Sequence, residues 1–183
     1  MQWQAGASLT EIKRRAKVLA TIRQFFGQRG VLEVETPLLC AYSVTDPHIA
    51  AISVPLAHEQ PYYLQTSPEY AMKRLLASVE TELDGGIYQI CKAFRHDACS
   101  PRHNPEFTLL EWYRPGFTLL DLIDEVAQLL VCVYAQFGHT LELRTQTFQS
   151  LFEKTLGLNP HVASRDQLLE LAEPWLPTEH KNL

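Results

Sequence analysis

The sequence predicts an α+β fold in which helices flank an antiparallel sheet. Two β-prone runs, residues 87–95 and 106–113, enclose a polar segment that contains Pro101 and Pro105. Because such a segment cannot continue a helix, the two runs are predicted to be antiparallel strands joined by a long loop. Segments with apolar residues at helical spacing lie before and after this pair and supply the flanking helices.

Length and composition limit the kind of protein. The 183 residues are 46% hydrophobic and 20% charged, which suits one globular domain with a real core. The formal net charge of -5 does not suggest a nucleic-acid partner, although a local basic patch stays open. The four cysteines form no Cys-x-x-Cys pair, and we find neither a signal peptide nor an apolar stretch of about 18 residues. We therefore expect a cytoplasmic protein with no membrane partner.

The first part of the chain predicts a tail, a helix and a strand, in that order. Residues 1–8 are predicted to be the tail. Ser8 and Glu11 have the spacing of a capping box, so a helix is predicted from about residue 9 to residue 28. Residues 31–36 then alternate between apolar and polar side chains and are predicted to be a strand.

A short strand predicted at residues 62–65 runs into the sequence TSPE. Ser67 and Pro68 are typical of a helix start, so a second helix is predicted over residues 68–79. This helix places Glu69 in its first turn, where the helix dipole favours a carboxylate. That electrostatic role is by itself a sufficient explanation of Glu69.

The last third of the chain is predicted to be mainly helical. The predicted elements are a helix capped by Thr118 and ending near residue 137, a short strand over 141–144, and helices over 147–156 and 164–172. Residues 173–183 contain two prolines and few apolar positions, so we expect them to be poorly ordered. The predicted domain therefore spans residues 9–172.

The central strand pair has an unusual set of polar side chains. Because side chains alternate between the faces of a strand, Phe107, Glu111 and Tyr113 are predicted to share one face of the second strand. By the same alternation, Arg95 and Asp97 point together at the end of the first strand. One sheet face is thus predicted to collect a cation, two carboxylates, a phenol and an aromatic ring.

Two further polar residues, His103 and Asn104, lie in the loop between the strands. Burying charged groups costs several kcal/mol unless they are paired or used. The polar set is therefore either a functional site or a structural ion pair of Arg95 with Asp97 or Glu111 at the mouth of an ordinary sheet.

Four potential metal ligands, Cys91, His96, Cys99 and His103, lie within thirteen positions. Zinc sites prefer closer pairs of cysteines and of histidines. Strand alternation also places Cys91 and His96 on opposite faces. We therefore predict no metal site among these residues.

The order of the central residues is specific. The runs FRHD at 94–97 and RHNPEFTLLEWY at 102–113 resemble motif 2 of the class II aminoacyl-tRNA synthetases, in the version of the lysine-specific subgroup. The family usually has Arg-Asn-Glu at 95–97, where this chain has Arg-His-Asp with a carboxylate one methylene shorter. The run VLEVETPLL at 31–39 resembles motif 1, which implies a homodimer interface. The resemblance implies the N-terminal part of a class II catalytic core.

This resemblance also implies an activity. Enzymes of the family are ligases that activate a carboxylate with ATP as an acyl-adenylate, and no P-loop, GxGxxG or GxSxG motif offers another nucleotide site. Arg95 would bridge the α-phosphate and the substrate carboxylate, and Phe107 would stack on adenine. The residues implied to bind ATP are Arg95, His96, Asp97, His103, Asn104 and Phe107. Mg²⁺ is implied as well, with its ligands expected downstream of this chain.

The amino-acid pocket is implied by the same resemblance. The run TSPEYAMKRL at 66–75 resembles the family segment whose glutamate holds the amino group of the bound amino acid. The residues implied to line the pocket are Ser67, Glu69, Glu111 and Tyr113. Two carboxylates and a phenol suit a doubly cationic substrate such as lysine or (R)-β-lysine, because each ammonium group needs acceptors when it leaves water.

Two observations favour one subgroup. Only about eight residues precede the first helix, where lysyl-tRNA synthetases have an anticodon-binding barrel, and residues 44–48 resemble the corresponding segment of the elongation factor P (R)-β-lysine ligases. That resemblance implies elongation factor P as the acceptor instead of tRNA. No third class II motif is recognised after Trp175, so we expect the front part of a longer enzyme. A remnant without turnover and a lysyl-tRNA synthetase-like enzyme stay open, as does the choice between α- and β-lysine.

Overall fold

A computed structural model describes residues 6–56, 60–79, 84–96 and 103–175. The chain divides into two compact units, Met1–Leu141 and Glu142–Leu183, and each is described by itself. Part of the predicted N-terminal tail and most of the predicted C-terminal tail, residues 1–5 and 176–183, lie outside the described residues.

The described part of the first unit contains three helices and six strands. They are α1 (Leu9–Gly27), β1 (Leu32–Glu33), β2 (Leu39–Cys40), β3 (Ser53–Val54), β4 (Tyr62–Leu64), α2 (Glu69–Val79), β5 (Ile87–Phe94), β6 (Glu106–Tyr113) and α3 (Leu119–Ala135). The predicted α+β class is confirmed. The strand predicted over 31–36 is shorter than expected, because only two residues of it pair with a neighbour before the chain turns toward β2.

The main sheet has the strand order β1-β5-β6. Strands β5 and β6 pair antiparallel over their whole length, from Ile87 opposite Tyr113 to Phe94 opposite Glu106. Strand β1 adds a short parallel edge. The antiparallel pair predicted from the two β-prone runs is therefore confirmed, and its register fixes which side chains of β6 face the same way.

One face of the main sheet packs against α1 and α3. The buried cluster contains Phe26 from α1, Tyr88 from β5 and Leu129 from α3, and Leu110 and Trp112 of β6 pack on it. Phe26 is fully buried, with its ring 4.6 Å from that of Tyr88 and 5.4 Å from that of Trp112. Because alternate residues of β6 point into this core, the intervening ones point to the opposite face of the sheet.

A buried polar network lies beside this core. Glu125 in α3 is 4% exposed and accepts a hydrogen bond from Trp112 Nε1 at 3.0 Å. Its other oxygen is 3.2 Å from Arg114 Nε, in an ion pair that lacks the alignment of a hydrogen bond. A further nitrogen of Arg114 donates to the carbonyl of Gly85. The network joins the end of β6 to α3 and to the segment before β5.

A second buried group, Tyr88, joins α1 to β1 and β5. Its hydroxyl donates to Glu33 Oε2 at 2.9 Å, and Arg23 Nε donates to Glu33 Oε1 at 3.0 Å. Burial, with the hydrogen bond to Glu33, raises the pKa of Tyr88 to about 12. The phenol is therefore neutral at physiological pH and stays a hydrogen-bond donor.

A small second sheet, in the order β2-β4-β3, leads the chain to the start of α2. Both of its strand pairs are antiparallel. After β4, the backbone of Gln65 accepts a hydrogen bond from Phe94 N–H at 2.9 Å. This bond brings the TSPE segment next to the end of β5.

The second unit contains the helices α4 (Phe148–Leu156) and α5 (Arg165–Ala172), followed by a 3₁₀ turn at Glu173–Trp175. The two helices predicted over residues 147–156 and 164–172 are confirmed, and Thr147 and Ser164 cap them. The strand predicted over 141–144 is wrong, because this segment is largely exposed and pairs with no strand in the described part of the chain. Among the described residues, no helix has the length and apolar character needed to cross a membrane.

Candidate active site

Two hydroxyl groups hold the carboxylate of Glu111 in β6. Ser67 Oγ donates to Oε2 at 2.6 Å, and the Tyr113 hydroxyl donates to Oε1 at 2.6 Å. Ser67 lies between β4 and α2, so these bonds join the open face of the main sheet to the start of α2. Within the described ranges, no lysine or arginine forms a salt bridge with Glu111.

The surroundings of the Tyr113 phenol raise its pKa. Burial raises its pKa most, and the hydrogen bond to Glu111 and the negative charges of Glu111 and Glu69 raise it further. The phenol is therefore neutral and remains a donor. Because both carboxylates raise the pKa of the same hydroxyl, the acidic side chains of α2 and β6 lie within electrostatic reach of one phenol.

Glu69 occupies the first turn of α2. Its backbone N–H donates to Ser67 Oγ at 3.2 Å, and its carboxylate Oε1 accepts from Lys73 Nζ at 2.5 Å. Ser67 thus contacts both acidic residues, through the backbone of one and the carboxylate of the other. This chain of contacts fixes the separation between the start of α2 and the face of β6.

Arg95 follows the last residue of β5. Its backbone N–H donates to the carbonyl of Pro105 at 3.0 Å, and its Nε is 3.4 Å from the carbonyl of Thr66. The guanidinium carbon lies 5.2 Å from the centre of the Phe107 ring. An ion pair with Glu111, one of the two structural alternatives for Arg95, is absent from the described residues, and the other partner, Asp97, lies outside them.

A cavity of about 550 Å³ borders the acidic cluster. Its walls come from the segment 37–44, the end of β4 and the exposed side of α2, and Ser67 and Glu69 contribute to its lining. Neither Glu111 nor Tyr113 is among the described lining residues. Glu69 is therefore shared between the cavity and the cluster around Glu111.

Comparison with known protein families decides what kind of fold this site belongs to. Residues 1–169 match the family described as tRNA synthetases class II (D, K and N). This chain belongs to the class II tRNA synthetases. The resemblance seen in motifs 1 and 2 is thereby confirmed, and with it the class II assignment of the α+β fold.

Relatives of this class II chain agree with the subgroup resemblance. It is 46% identical over 177 residues to an elongation factor P-(R)-β-lysine ligase of Haemophilus ducreyi, covering 94% of this chain and 52% of that protein. The protein of the same name from Avibacterium paragallinarum is 43% identical over 180 residues, covering 95% of this chain and 53% of that protein. The one from Pseudoalteromonas translucida is 46% identical over 178 residues, covering 93% of this chain and 52% of that protein. The chain thus spans about half the length of the curated relatives it matches.

The structure brings together most of the residues implied by the class II motifs. Ser67, Glu69, Glu111 and Tyr113 form one connected cluster. Arg95 lies against Phe107 beside the segment that leads to this cluster.

The other implied residues that the structure describes are exposed near the ends of the two central strands. His103 and Asn104 are exposed just before β6, and His96 is exposed just after β5 with its backbone N–H bonded to the carbonyl of Ala50. Asp97 lies outside the described residues. The roles given to all of these side chains by the class II motifs stay predictions.

Sequence reasoning overlooked Lys73, which the class II fold places on Glu69. The signal was present, because a lysine four residues after a glutamate in a helix lies on the same face. We attributed no role to it from the sequence. The described residues contain no group of three or more His, Cys, Asp or Glu side chains arranged to hold a metal ion.

Proposed function

We propose that this chain belongs to an ATP-dependent ligase that activates lysine or (R)-β-lysine as an acyl-adenylate and transfers it to a lysine of elongation factor P. The observation that supports this most is the carboxylate of Glu111, which is oriented by two hydroxyls and forms no salt bridge with a described lysine or arginine. Such a group is prepared for an ammonium ion supplied by a ligand.

The proposed substrate has two ammonium groups and a carboxylate, so the pocket has to supply carboxylates for the ammonium groups and a cation for the carboxylate. Glu69 and Glu111 provide acceptors for two ammonium groups, and the Tyr113 oxygen retains acceptor capacity for a third contact. A monocationic or neutral amino acid would leave one of the carboxylates without its partner, which costs binding free energy. The pocket therefore favours a diamino acid.

Arg95 serves the anionic end in this proposal. Its guanidinium contacts the carbonyl of Thr66, the residue before Ser67, and lies near the ring of Phe107. A planar guanidinium has five donors, so it can bind the substrate carboxylate and a phosphate together. Lysine at this position would offer a single ammonium and lose that geometry.

The reaction follows from this placement. A carboxylate oxygen of the amino acid attacks the α-phosphorus of ATP, and the bond from that phosphorus to the bridging oxygen breaks to release pyrophosphate. Negative charge builds on the phosphoryl oxygens, where Arg95 stabilises it. The ε-amine of the acceptor lysine then attacks the acyl carbon, loses a proton and displaces AMP.

ATP is a substrate here, and several residues fit its parts. Phe107 offers a ring to adenine, Asp97 and the backbone at His96 are assigned to its edge, and His103 and Asn104 to its phosphates. Mg²⁺ would neutralise phosphate charge when bound, with its ligands expected downstream of this chain. No step above depends on it.

The remaining assignments concern the oligomeric state, the cellular compartment and the acceptor. Leu32, Leu38 and Leu39, in and after the motif 1 strand, are 53%, 40% and 37% exposed, which supports a homodimer through this region. We assign the protein to the cytoplasm, and we propose elongation factor P, in preference to tRNA, as the acceptor.

A second candidate function is binding of the diamino acid without turnover. The class II cluster supports it as well as catalysis, because Ser67, Glu69, Glu111 and Tyr113 are contacts for a ligand and not reacting groups. An aminoacylating lysyl-tRNA synthetase activity is the third possibility left by the family. Turnover and the identity of the acceptor separate the three.

Exchange of labelled pyrophosphate into ATP tests the proposal. When the rest of the class II core is supplied, lysine or (R)-β-lysine is expected to support exchange, whereas norleucine, which lacks the second amine, is not. Equal exchange with norleucine, or no exchange at all, contradicts the ligase. Binding of lysine without exchange identifies the non-catalytic module, and aminoacylation of tRNA in place of elongation factor P identifies the synthetase activity.

A further inference from the structure

Lys73 lies one helical turn after Glu69 on α2 and donates to its Oε1 at 2.5 Å. Across the described residues, no hydrogen bond occupies the other carboxylate oxygen of Glu69. The order Glu then Lys at a spacing of four is the favourable one in a helix. Glu69 is thus held by one oxygen while the second is left for another donor.

The charge of Lys73 reaches both acidic residues of the site. The hydrogen bond to Glu69 raises the pKa of Lys73 most, and the charge of Glu111 raises it further. The ammonium is therefore charged throughout the physiological range. The ammonium is thus in contact with the carboxylate of Glu69 and within electrostatic reach of the carboxylate of Glu111.

We propose that Lys73 is a positioning residue whose hydrogen bond orients the carboxylate of Glu69 toward the amine nearest the carboxylate of a diamino acid. This assignment rests on the proposed function. Lys73 does not itself touch the amino acid; it acts through the carboxylate that does. The amine in question is the α-amine of lysine or the β-amine of (R)-β-lysine.

The chain contains a matched pair for comparison. Lys92 Nζ donates to Glu106 Oε1 at 2.6 Å, and their side chains are 49% and 53% exposed, against 55% and 47% for Lys73 and Glu69. Glu106, the partner of Lys92, lies on the face of the main sheet opposite to Glu111, because the two glutamates differ by an odd number of positions along β6. Loss of a lysine charge at position 92 therefore leaves the acidic cluster intact.

The test measures binding of lysine, (R)-β-lysine and 6-aminohexanoate by isothermal titration calorimetry. The last compound has the chain and the terminal amine but lacks the amine assigned to Glu69. In Lys73→Met, the preference for the diamino acids over 6-aminohexanoate is expected to fall by about two- to fivefold, with the affinity for 6-aminohexanoate unchanged. Lys73→Arg is expected to retain the preference, and Lys92→Met to match the unchanged chain.

Each other outcome overturns a stated part of the assignment. An unchanged preference in Lys73→Met contradicts the positioning role, and tighter binding of lysine would show that Lys73 competes with the substrate. Equal losses for all three ligands would indicate a structural effect and contradict the role as well. Failure of the unchanged chain to prefer diamino acids, or an unaltered preference in Glu69→Gln, overturns the proposed pocket and the assignment of Lys73 with it.

Discussion

Replacement of Glu125 by alanine is expected to lower the free energy of unfolding by about 3–5 kcal/mol, because the change leaves a buried guanidinium without its counter-ion. The side chains of Arg114 and Glu125 are 10% and 5% exposed. Trp112 Nε1 loses its acceptor in the same variant. Chemical denaturation monitored by tryptophan fluorescence and circular dichroism measures the loss.

One further variant separates the charge of Glu125 from its packing, and another serves as an exposed control. Glu125→Gln keeps the volume and an acceptor but removes the charge, so most of the loss is expected to remain. Glu106→Ala breaks an exposed pair with Lys92 and is expected to cost about 0–1 kcal/mol. Similar losses in Glu125→Ala and Glu106→Ala would contradict the structural role of the buried pair.

Arg95→Ala is expected to lower the rate of ATP–pyrophosphate exchange by about 100- to 1,000-fold, the loss typical when one stabilising donor is removed from a transition state. Arg95 is half-buried, and its described contacts are one long bond to Thr66 and the ring of Phe107. The fold is therefore expected to survive the substitution.

Arg14→Ala is the matched control for Arg95→Ala, because Arg14 is an exposed arginine on α1 that pairs only with Glu11 among the described residues. Its exchange rate is expected to equal that of the unchanged chain. Thermal unfolding of both variants checks that each is folded. An exchange rate in Arg95→Ala within twofold of the control would refute the role given to this guanidinium.

Helix ends and strand pairing were predictable because their signals are local. Ser8 and Thr118 each accept a hydrogen bond from the backbone three residues later, as their capping patterns indicate. Alternation along residues 106–113 correctly separated the core face of β6 from the face that carries Glu111.

Other features were not predictable, because they depend on contacts between distant residues. Strands β2 and β3 have two residues each, too few to show a period, and they exist only because β4 lies between them. Conversely, residues 141–144 have an alternating pattern but no neighbouring strand in the described structure. Pairing partners, and not local propensity, decided these segments.

The polar residues show the same limit. The sequence analysis assigned no role to Glu125 in α3. Its burial follows from Trp112 and Arg114, which arrive from β6. The contacts of Ser67 and Tyr113 with Glu111 likewise needed the register of the main sheet and the position of β4.

A stable lysyl-adenylate analogue has a sulfamoyl group in place of the phosphate. Its binding tests directly whether Arg95, Glu69 and Glu111 form one site. The chain is expected to bind one molecule of the lysyl compound, and to prefer it over the norleucyl compound by about 100-fold or more, because only lysine supplies the ammonium for Glu111. Glu111→Gln should remove most of that preference. Equal affinity for the two compounds, or a preference that persists in Glu111→Gln, would contradict a shared site.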